Sequence, residues 1–279
     1  MRYLVEYLCV CALGLMPLVG CSGTSDDDGG TGGTAGTGGS AGTGGTAGTG
    51  GSAGTGGTGG EVRQYQIRFL EFDSEGVGSS SEGVEFCQAD TENCDTSDAS
   101  GIVTLNVPEA QEITFTMEKK GYGKWVVGDV SDDTYESFAT RPMYTDAQLE
   151  AIAAQLDTTY PWTDGIVGLV RWPSDHAGVT FIPVGSTGDA VGDPFYYDAA
   201  TREYSLDLDA TTSVADSHLL PLGSGGFTEV TPGVQEFEFG GTSGDCRATW
   251  AWPGDGPNKI RVPVREGYRT YGSMRCDGL

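Results

Sequence analysis

The chain has 279 residues, enough for one or two globular domains, and a formal net charge of −25. This charge argues against nucleic acid, which calls for a basic face on the protein, and against electrostatic binding to anionic lipid. The charge is uneven along the chain, because residues 61–140 carry 17 acidic side chains and only 5 basic ones, whereas basic residues cluster between Lys259 and Arg275.

The N-terminal residues 1–20 have the form of a lipoprotein signal peptide. Arg2 precedes an apolar run over residues 7–20, which is too short to span a bilayer as a helix. The run ends in LVGC at residues 18–21, a sequence that resembles the bacterial lipobox. We therefore expect lipid, palmitate included, on Cys21, with the protein anchored in the outer membrane and exposed at the cell surface.

A low-complexity segment follows the predicted lipidation site. Residues 31–60 form ten triplets that each end in glycine. Without apolar side chains such a stretch cannot bury a core, so residues 21–60 are predicted to be a flexible Gly/Thr/Ser linker. A linker of this length has an r.m.s. reach of roughly 34 Å, which would hold a folded region away from the membrane.

From Glu61 onward the pattern is that of an all-β protein. Residues 64–72, 101–107 and 112–117 alternate apolar and polar side chains, and Gly, Asp, Ser and Pro separate these runs. One stretch predicts a helix instead: Thr145 and Gln148 have capping-box spacing, and apolar residues follow at helical intervals. We expect a short helix within residues 143–158 that connects two β modules.

Three short landmarks occur twice in the same order. They are GVEF (83–86), PEAQEITF (108–115) and KKGY (119–122), which return as GVTF (178–181), PGVQEFEF (232–239) and REGY (265–268). Longer loops in the second copy are thermodynamically tolerable. The repetition predicts a duplicated module, over residues 61–142 and 159–279, in which each copy has its own core and Phe115 and Phe239 are equivalent.

The landmarks also carry a family resemblance. Gly-Val-x-aromatic, a Cys-containing loop, TSDASG (96–101), two strands around a proline and a final Gly-Tyr resemble the carboxypeptidase regulatory-like domain. The resemblance implies two Greek-key, prealbumin-like β-sandwiches without catalytic activity or cofactor. The complete layout resembles cell-surface lipoproteins of Gram-negative bacteria, which implies adhesion or binding of an unidentified surface ligand, either carbohydrate or protein.

Four cysteines remain in the predicted exported region once Cys21 is lipidated. Cysteines in an exported protein favour disulfides, and four of them allow three connectivities. The predicted module boundary favours Cys87–Cys94 and Cys246–Cys276, since each pair then lies within one module. Metal binding is less favoured, because neither pair has Cys-x-x-Cys spacing or a neighbouring histidine.

Two further pairs of residues are candidate binding groups. Asp95 and Asp98 lie in an acidic loop that could supply oxygen ligands to calcium, although Asp before Gly is also ordinary turn chemistry. Trp250 and Trp252 are expected on one strand face with Cys246. They could stack on a sugar ring or pack in the core beside the disulfide.

One enzyme class provides an alternative reading. Intradiol dioxygenases share a related β-sandwich and hold iron with two Tyr and two His, and this chain has His176, His218 and tyrosines such as those in PFYYD (194–198). In that family the two histidines usually stand one residue apart, whereas here they are separated widely. We therefore favour a protein that is not an enzyme.

Overall fold

The computed structural model describes residues 61–72, 78–131, 139–173, 175–214, 220–241 and 245–277. The predicted signal peptide, Cys21, the linker and His218 lie outside the described residues. None of the helices in the described part of the chain is long and apolar enough to cross a membrane.

The described residues confirm the all-β prediction and its single connecting α-helix. The strands before the helix are β1 (Val62–Phe72), β2 (Gly78–Ser80), β3 (Glu85–Gln88), β4 (Cys94–Thr96), β5 (Ile102–Pro108), β6 (Glu112–Glu118), β7 (Trp125–Val130) and β8 (Ala139–Met143). After helix α1 (Asp146–Gln155) follow β9 (Gly165–Trp172), β10 (Thr180–Pro183), β11 (Pro194–Asp198), β12 (Glu203–Ser205), β13 (Gly225–Val230), β14 (Gly233–Gly240), β15 (Asp245–Thr249), β16 (Trp252–Pro253), β17 (Lys259–Val264) and β18 (Arg269–Asp277). A 3₁₀ helix spans Gly185–Asp189.

Helix α1 begins with the predicted capping box. The Thr145 hydroxyl accepts a hydrogen bond from the Gln148 backbone N–H, and the Gln148 side chain accepts one from the Thr145 N–H at 2.9 Å. This satisfies two donors that a helix start would otherwise leave unpaired. Leu149, Ile152 and Ala153 are buried, so one face of the helix packs on the core.

The two halves of the chain repeat one strand topology. In the first half β1 pairs antiparallel with β5 and parallel with β8, while β6 lies between β3 and β7. In the second half β9 pairs antiparallel with β13 and parallel with β18, while β14 lies between β10 and β17. Each module is therefore a β-sandwich with the same order and direction of strands.

The first landmark, the Gly-Val turn, is built in the same way in both modules. Gly83 and Gly178 have φ angles of +80° and +83°, in the left-handed region that favours glycine. Gly83 donates to the Ser97 carbonyl and Gly178 to the Thr211 carbonyl, at 3.0 and 2.8 Å. The next backbone N–H donates in each case to the hydroxyl of that same Ser97 or Thr211. The same hydrogen-bonded turn therefore occurs in both modules.

The second landmark is duplicated as well, but with a shift of two residues. Phe239 lies opposite the phenylalanine of β10, whereas Met117 holds the equivalent place on β6, opposite the phenylalanine of β3. Phe115 therefore corresponds to Phe237. The expected equivalence of Phe115 and Phe239 was therefore wrong by two residues, which is one inward-facing position on the strand. The reason is that the repeated proline is the last residue of β5 in the first module but lies in the loop between β13 and β14 in the second.

The third landmark does not belong to the repeat. The first Gly-Tyr, Gly121–Tyr122, lies between β6 and β7, and the second, Gly267–Tyr268, lies between β17 and β18. Since β17 is the counterpart of β7, and β18 that of β8, the two turns occupy different connections. Their similar sequences reflect a similar local turn, in which the tyrosine N–H donates to the carbonyl three residues earlier.

The two modules are joined in one sheet. Strands β7 and β18 pair in parallel, with Trp125 opposite Arg269 and Val126 opposite Thr270. Among the described residues this creates a ten-stranded sheet in the order β12-β11-β13-β9-β18-β7-β6-β3-β4, with β15 beside β18. The residue boundaries given above for the two modules and the connecting helix remain predictions. Strands from both modules nevertheless belong to the same sheet.

The hydrophobic cores follow the same arrangement. The larger core runs from Tyr65 and Phe115 of the first module through Leu149 of α1 to Phe195 and Tyr271 of the second. The smaller core contains residues of the second module only, among them Val167, Phe237, Phe239 and Ile260. A core confined to one module is thus found for the second module and not for the first.

Candidate functional site

The predicted calcium ligands take part in local turns. One Asp98 carboxylate oxygen accepts hydrogen bonds from the N–H groups of Ser100 and Ile102, at 2.8 and 2.9 Å. Asp95 accepts from the Thr96 N–H at 2.8 Å. In the described ranges no group of three or more His, Cys, Asp or Glu side chains is placed to hold a metal. Calcium binding stays an untested hypothesis, and turn chemistry explains the positions of both aspartates.

The dioxygenase alternative has one histidine in the described residues. The His176 side chain is exposed and its Nε2 lies 3.7 Å from an Asp175 carboxylate oxygen. Tyr196, in contrast, is buried, and its hydroxyl accepts a hydrogen bond from the Phe181 N–H at 3.2 Å. No observation favours this alternative, and the iron content of the purified protein would test it.

Both tryptophans proposed to stack on a sugar are buried. Trp250 is 5% exposed and the Arg141 guanidinium carbon lies 3.3 Å from its ring centroid. Trp252 is 8% exposed and donates its indole N–H to the Ile113 carbonyl at 3.1 Å. The sugar-stacking prediction is wrong for this fold, because neither ring presents a face to solvent.

The expectation that these tryptophans share a strand face with Cys246 was also wrong. Strand β15 pairs with β18, but β16 pairs with β17 in the other sheet of the module. Between them Trp250 has a φ of +58°, a left-handed conformation that ends the strand. The chain therefore crosses from one sheet to the other at Trp250.

The structure contains both predicted disulfides. Cys87 and Cys94 lie opposite each other on β3 and β4, and Cys246 and Cys276 lie opposite each other on β15 and β18. Each bond thus fixes the register of two neighbouring strands within one module.

On each of three edge strands, one backbone N–H that points away from the sheet is bonded by a side chain. On β10 the Tyr196 hydroxyl accepts the outward N–H of Phe181. On β12 the Gln155 side chain of α1 accepts the N–H of Tyr204 at 2.9 Å. On β4 the carboxylate of Asp95 accepts the N–H of the next residue. Each of these N–H groups is therefore satisfied without a further strand.

Ion pairs connect the two modules across an exposed rim, which is formed by Asp90 and Glu112 of the first module and Arg261 and Arg265 of the second. Arg261 pairs with Glu112, and Arg265 pairs with Asp90. The basic cluster of the second module therefore faces the acid-rich first module. Exposed ion pairs contribute little free energy individually, so their main effect is on the orientation of the modules. Ion pairs between the modules thus account for part of the charge asymmetry of the sequence.

Trp252 forms the packed centre of this rim. A Cβ atom on Gly128 of β7 would come within 3.0 Å of the Trp252 indole. The absence of a side chain at Gly128 lets the ring lie directly on the strand. Because Trp252 also donates to Ile113 of β6, β16 is held against the outer face of the β6–β7 pair.

A buried arginine lies at the junction of the modules, the region where β7 of the first module pairs with β18 of the second. Arg269 is 2% exposed, and its guanidinium carbon lies 3.4 Å from the Trp125 ring centroid and 4.9 Å from that of Tyr144. Its Nη1 donates to the Pro221 carbonyl at 2.7 Å, and Nη2 donates to the Pro142 carbonyl at 3.4 Å. Arg269 thereby links β18 to β7, to the end of β8 and to the loop before β13.

Arg269 has no carboxylate partner among the described residues. Burial consequently lowers the pKa of its guanidinium, because desolvation disfavours the charged form. Stacking on Trp125 and the two carbonyl acceptors offset part of this cost, since desolvated cation–π contacts stabilise by about 2 kcal/mol. We regard the junction as a structural site, in which Arg269 is the central group.

Comparison with known proteins identifies no family. No family model matches the chain, and no curated protein matches it. Solved structures that are similar include a minor pilin of Streptococcus agalactiae, at 14% identity over 77% of this chain and 97% of the pilin, with a TM-score of 0.21. A shaft pilin of Lactobacillus rhamnosus GG is 10% identical over 78% of this chain and 99% of its own, with a TM-score of 0.23. The TIE protein of Bacillus anthracis is 7% identical over 77% of this chain and 34% of its own, also with a TM-score of 0.23. Similarity this low supports no functional inference.

Proposed function

We propose that the chain is a lipid-anchored surface protein of the outer membrane, whose folded region is a non-catalytic head for adhesion or ligand binding. The lipobox-like LVGC and the glycine-rich linker support the anchoring and the display. The junction supports the non-catalytic role and is the observation that carries the proposal. Its arginine, tryptophans and ion pairs are engaged in holding two sandwiches as one rigid body.

A rigid head on a flexible tether suits a protein that presents a surface to its surroundings. The composition of residues 21–60 predicts a flexible linker that would let the head sample orientations. The junction would keep the two modules in one fixed relation. Because the two modules are then already ordered relative to each other, the head loses little conformational entropy when a ligand binds. More of the free energy of the contacts is therefore available for affinity.

The anchoring is tested by replacing Cys21 with alanine. We expect Cys21→Ala to abolish incorporation of a radioactive fatty acid and to release the protein from the membrane fraction, because the acyl chains supply the attachment. Cys11→Ala is the matched control, since that cysteine lies within the predicted signal peptide and should not affect labelling. Undiminished labelling of the Cys21→Ala variant would exclude the proposed anchor.

Surface exposure is measured separately by adding protease to intact cells. Loss of the head from intact cells supports display on the outside, and complete protection until the cells are lysed would contradict it.

A further inference from the structure

The segment that leads into β11 contains the only Asp–Pro dipeptide of the chain, Asp193–Pro194. Both residues are exposed, and Pro194 is the first residue of β11. Within the described ranges, no hydrogen bond or ion pair holds the Asp193 carboxylate. This side chain is therefore free to rotate towards the backbone carbonyl carbon of its own residue.

The Asp193 carbonyl lies against a β-bulge of β13. The pairing of β13 with β9 shifts its register between Phe227 and Val230, and Glu229 within this shift has a φ of +50°. A left-handed φ is strained for a residue that has a side chain. Strained residues and bulges are common beside functional sites, where a bulge changes the direction of a neighbouring group. The residue before Glu229 in this bulge is Thr228.

Thr228 directs two donors at the Asp193 carbonyl oxygen. Its backbone N–H donates to this oxygen at 3.3 Å, and its hydroxyl group donates to the same oxygen at 3.4 Å. Thr228 is only 4% exposed, so both donors are largely shielded from water. Fixed donors on one carbonyl oxygen stabilise the negative charge that develops there when a nucleophile adds to the carbon, and long bonds of this kind commonly tighten in the transition state.

The Asp–Pro bond is held in place on both sides. Gly192 donates its N–H to the Thr228 carbonyl at 2.8 Å, and Pro194 lies opposite Phe227 in the pairing of β11 with β13. A Cβ atom on Gly192 would lie 3.0 Å from the carbonyl and hydroxyl oxygens of Thr228, so glycine permits this close approach. Because the bond is already fixed beside its donors, little further entropy is lost on reaching the transition state.

We propose that the chain cleaves itself between Asp193 and Pro194, in a single-turnover reaction that is separate from the proposed anchoring and ligand binding. In the protonated form of Asp193, a carboxyl oxygen attacks the backbone carbonyl carbon of the same residue while Thr228 holds the carbonyl oxygen. The bond from this carbon to the Pro194 nitrogen breaks, and the carboxyl proton passes to the nitrogen. Water then opens the cyclic anhydride of Asp193, which leaves a free carboxyl terminus there and a secondary amine at Pro194.

Proline suits this reaction for two reasons. Because it has no backbone N–H, its nitrogen cannot attack the aspartate side chain and form a succinimide, which is the competing reaction of an Asp–Gly bond. Its tertiary amide nitrogen also accepts a proton more readily than the nitrogen of other peptide bonds. The reaction is therefore confined to the single Asp–Pro bond of the chain.

The two fragments would stay together in the folded head. The Cys87–Cys94 bond lies before the cut and the Cys246–Cys276 bond lies after it, so neither of these disulfides bridges the fragments. Strands β9 and β10 before the cut pair with β13, β14 and β18 after it. The C-terminal fragment would thus be held only by strand pairing and core packing, and denaturant would release it.

The test compares the folded and the unfolded chain. The full mature lipoprotein, purified at neutral pH, is incubated in detergent at mildly acidic pH, and its fragments are weighed by mass spectrometry after denaturation. Fragments that end at Asp193 and begin at Pro194 are expected. The same protein in urea gives the intrinsic rate of the bond, and the folded protein should cleave on the order of a hundredfold faster, because only the fold places Thr228 beside the bond. An equal or slower rate in the folded protein, or no cleavage in it, would overturn the inference.

Three variants identify the groups that take part. Asp193→Asn should abolish the cleavage, whereas Asp189→Asn, which changes an exposed aspartate of the nearby 3₁₀ helix, should cleave like the unmodified protein. Thr228→Val keeps the backbone N–H and removes only the hydroxyl group, so the folded variant should cleave about tenfold more slowly. Its rate in urea should be unchanged, and circular dichroism shows whether the variant is folded. Cleavage that persists in Asp193→Asn, or an unchanged rate in folded Thr228→Val, would overturn the inference.

Discussion

Replacing Phe115 by alanine is expected to lower the free energy of unfolding of the whole head by about 3–5 kcal/mol. Phe115 is fully buried, and its ring centroid lies 4.5 Å from that of Tyr65 and 4.9 Å from that of Phe86. The large core that contains these rings continues through α1 to Tyr271 of the second module. The cavity left by the missing ring should therefore weaken both modules together.

Chemical denaturation, followed by limited proteolysis of both halves, measures this effect. Val234→Ala is the control, because Val234 is 56% exposed and its truncation should change stability little. Phe237→Ala, at the equivalent position of the second module, should also cost about 3–5 kcal/mol. If Phe115→Ala sensitised only the first half to protease, the shared core would not couple the modules.

Replacing Arg269 by alanine is expected to cost about 3 kcal/mol of stability, from the lost stacking on Trp125 and from the two proline carbonyls left without a donor. The carbonyls of Pro142 and Pro221 belong to different modules, so the variant should loosen the junction first. Hydrogen exchange should report this as faster exchange at the β7–β18 pairing than in the centre of either sandwich.

We expect that Arg269→Lys also lowers the stability of the junction. The ammonium group of lysine can neither stack as a plane on Trp125 nor reach two carbonyl groups in the fixed geometry of a guanidinium. Arg247→Ala is the matched control, since Arg247 is exposed on β15 and its removal should leave stability nearly unchanged. Full stability of Arg269→Lys would show that charge alone, without guanidinium geometry, holds the junction.

Features that depend on neighbouring residues could be predicted from the sequence. Alternating side chains indicated the strands, and Thr145 with Gln148 placed the start of the helix. The Gly-Val motifs at Gly83 and Gly178 were recognisable as a repeat because the left-handed glycine is a local feature, whereas their partners Ser97 and Thr211 lie far away in sequence. The disulfide pairs followed once the modules had been separated.

Features that depend on contacts between distant residues could not be predicted. Nothing local to Trp125 or Arg269 indicates that their strands pair in parallel. The break at Trp250 is equally hidden, because a tryptophan rarely adopts a positive φ, and an uninterrupted strand was the simpler expectation. The clustering of bases between Lys259 and Arg275, against an acidic first half, was the one available signal of the junction.

The sequence repeat was informative and also misleading. Its first two landmarks mark equivalent strands, but Gly121–Tyr122 and Gly267–Tyr268 occupy different connections. Both dipeptides satisfy the same turn geometry, and a turn can recur wherever two strands must be joined. A short motif that fits a common turn is therefore weaker evidence of duplication than a strand with its pairing partners.

The most direct test of the junction is differential scanning calorimetry of the mature protein. One shared sheet and a continuous core predict a single heat-absorption peak, with the calorimetric enthalpy equal to the van't Hoff enthalpy. Arg269→Ala should lower the midpoint of that peak or split it. Two separate transitions in the unmodified protein, or a calorimetric enthalpy about twice the van't Hoff value, would show that the modules unfold independently and would contradict a head that acts as one rigid body.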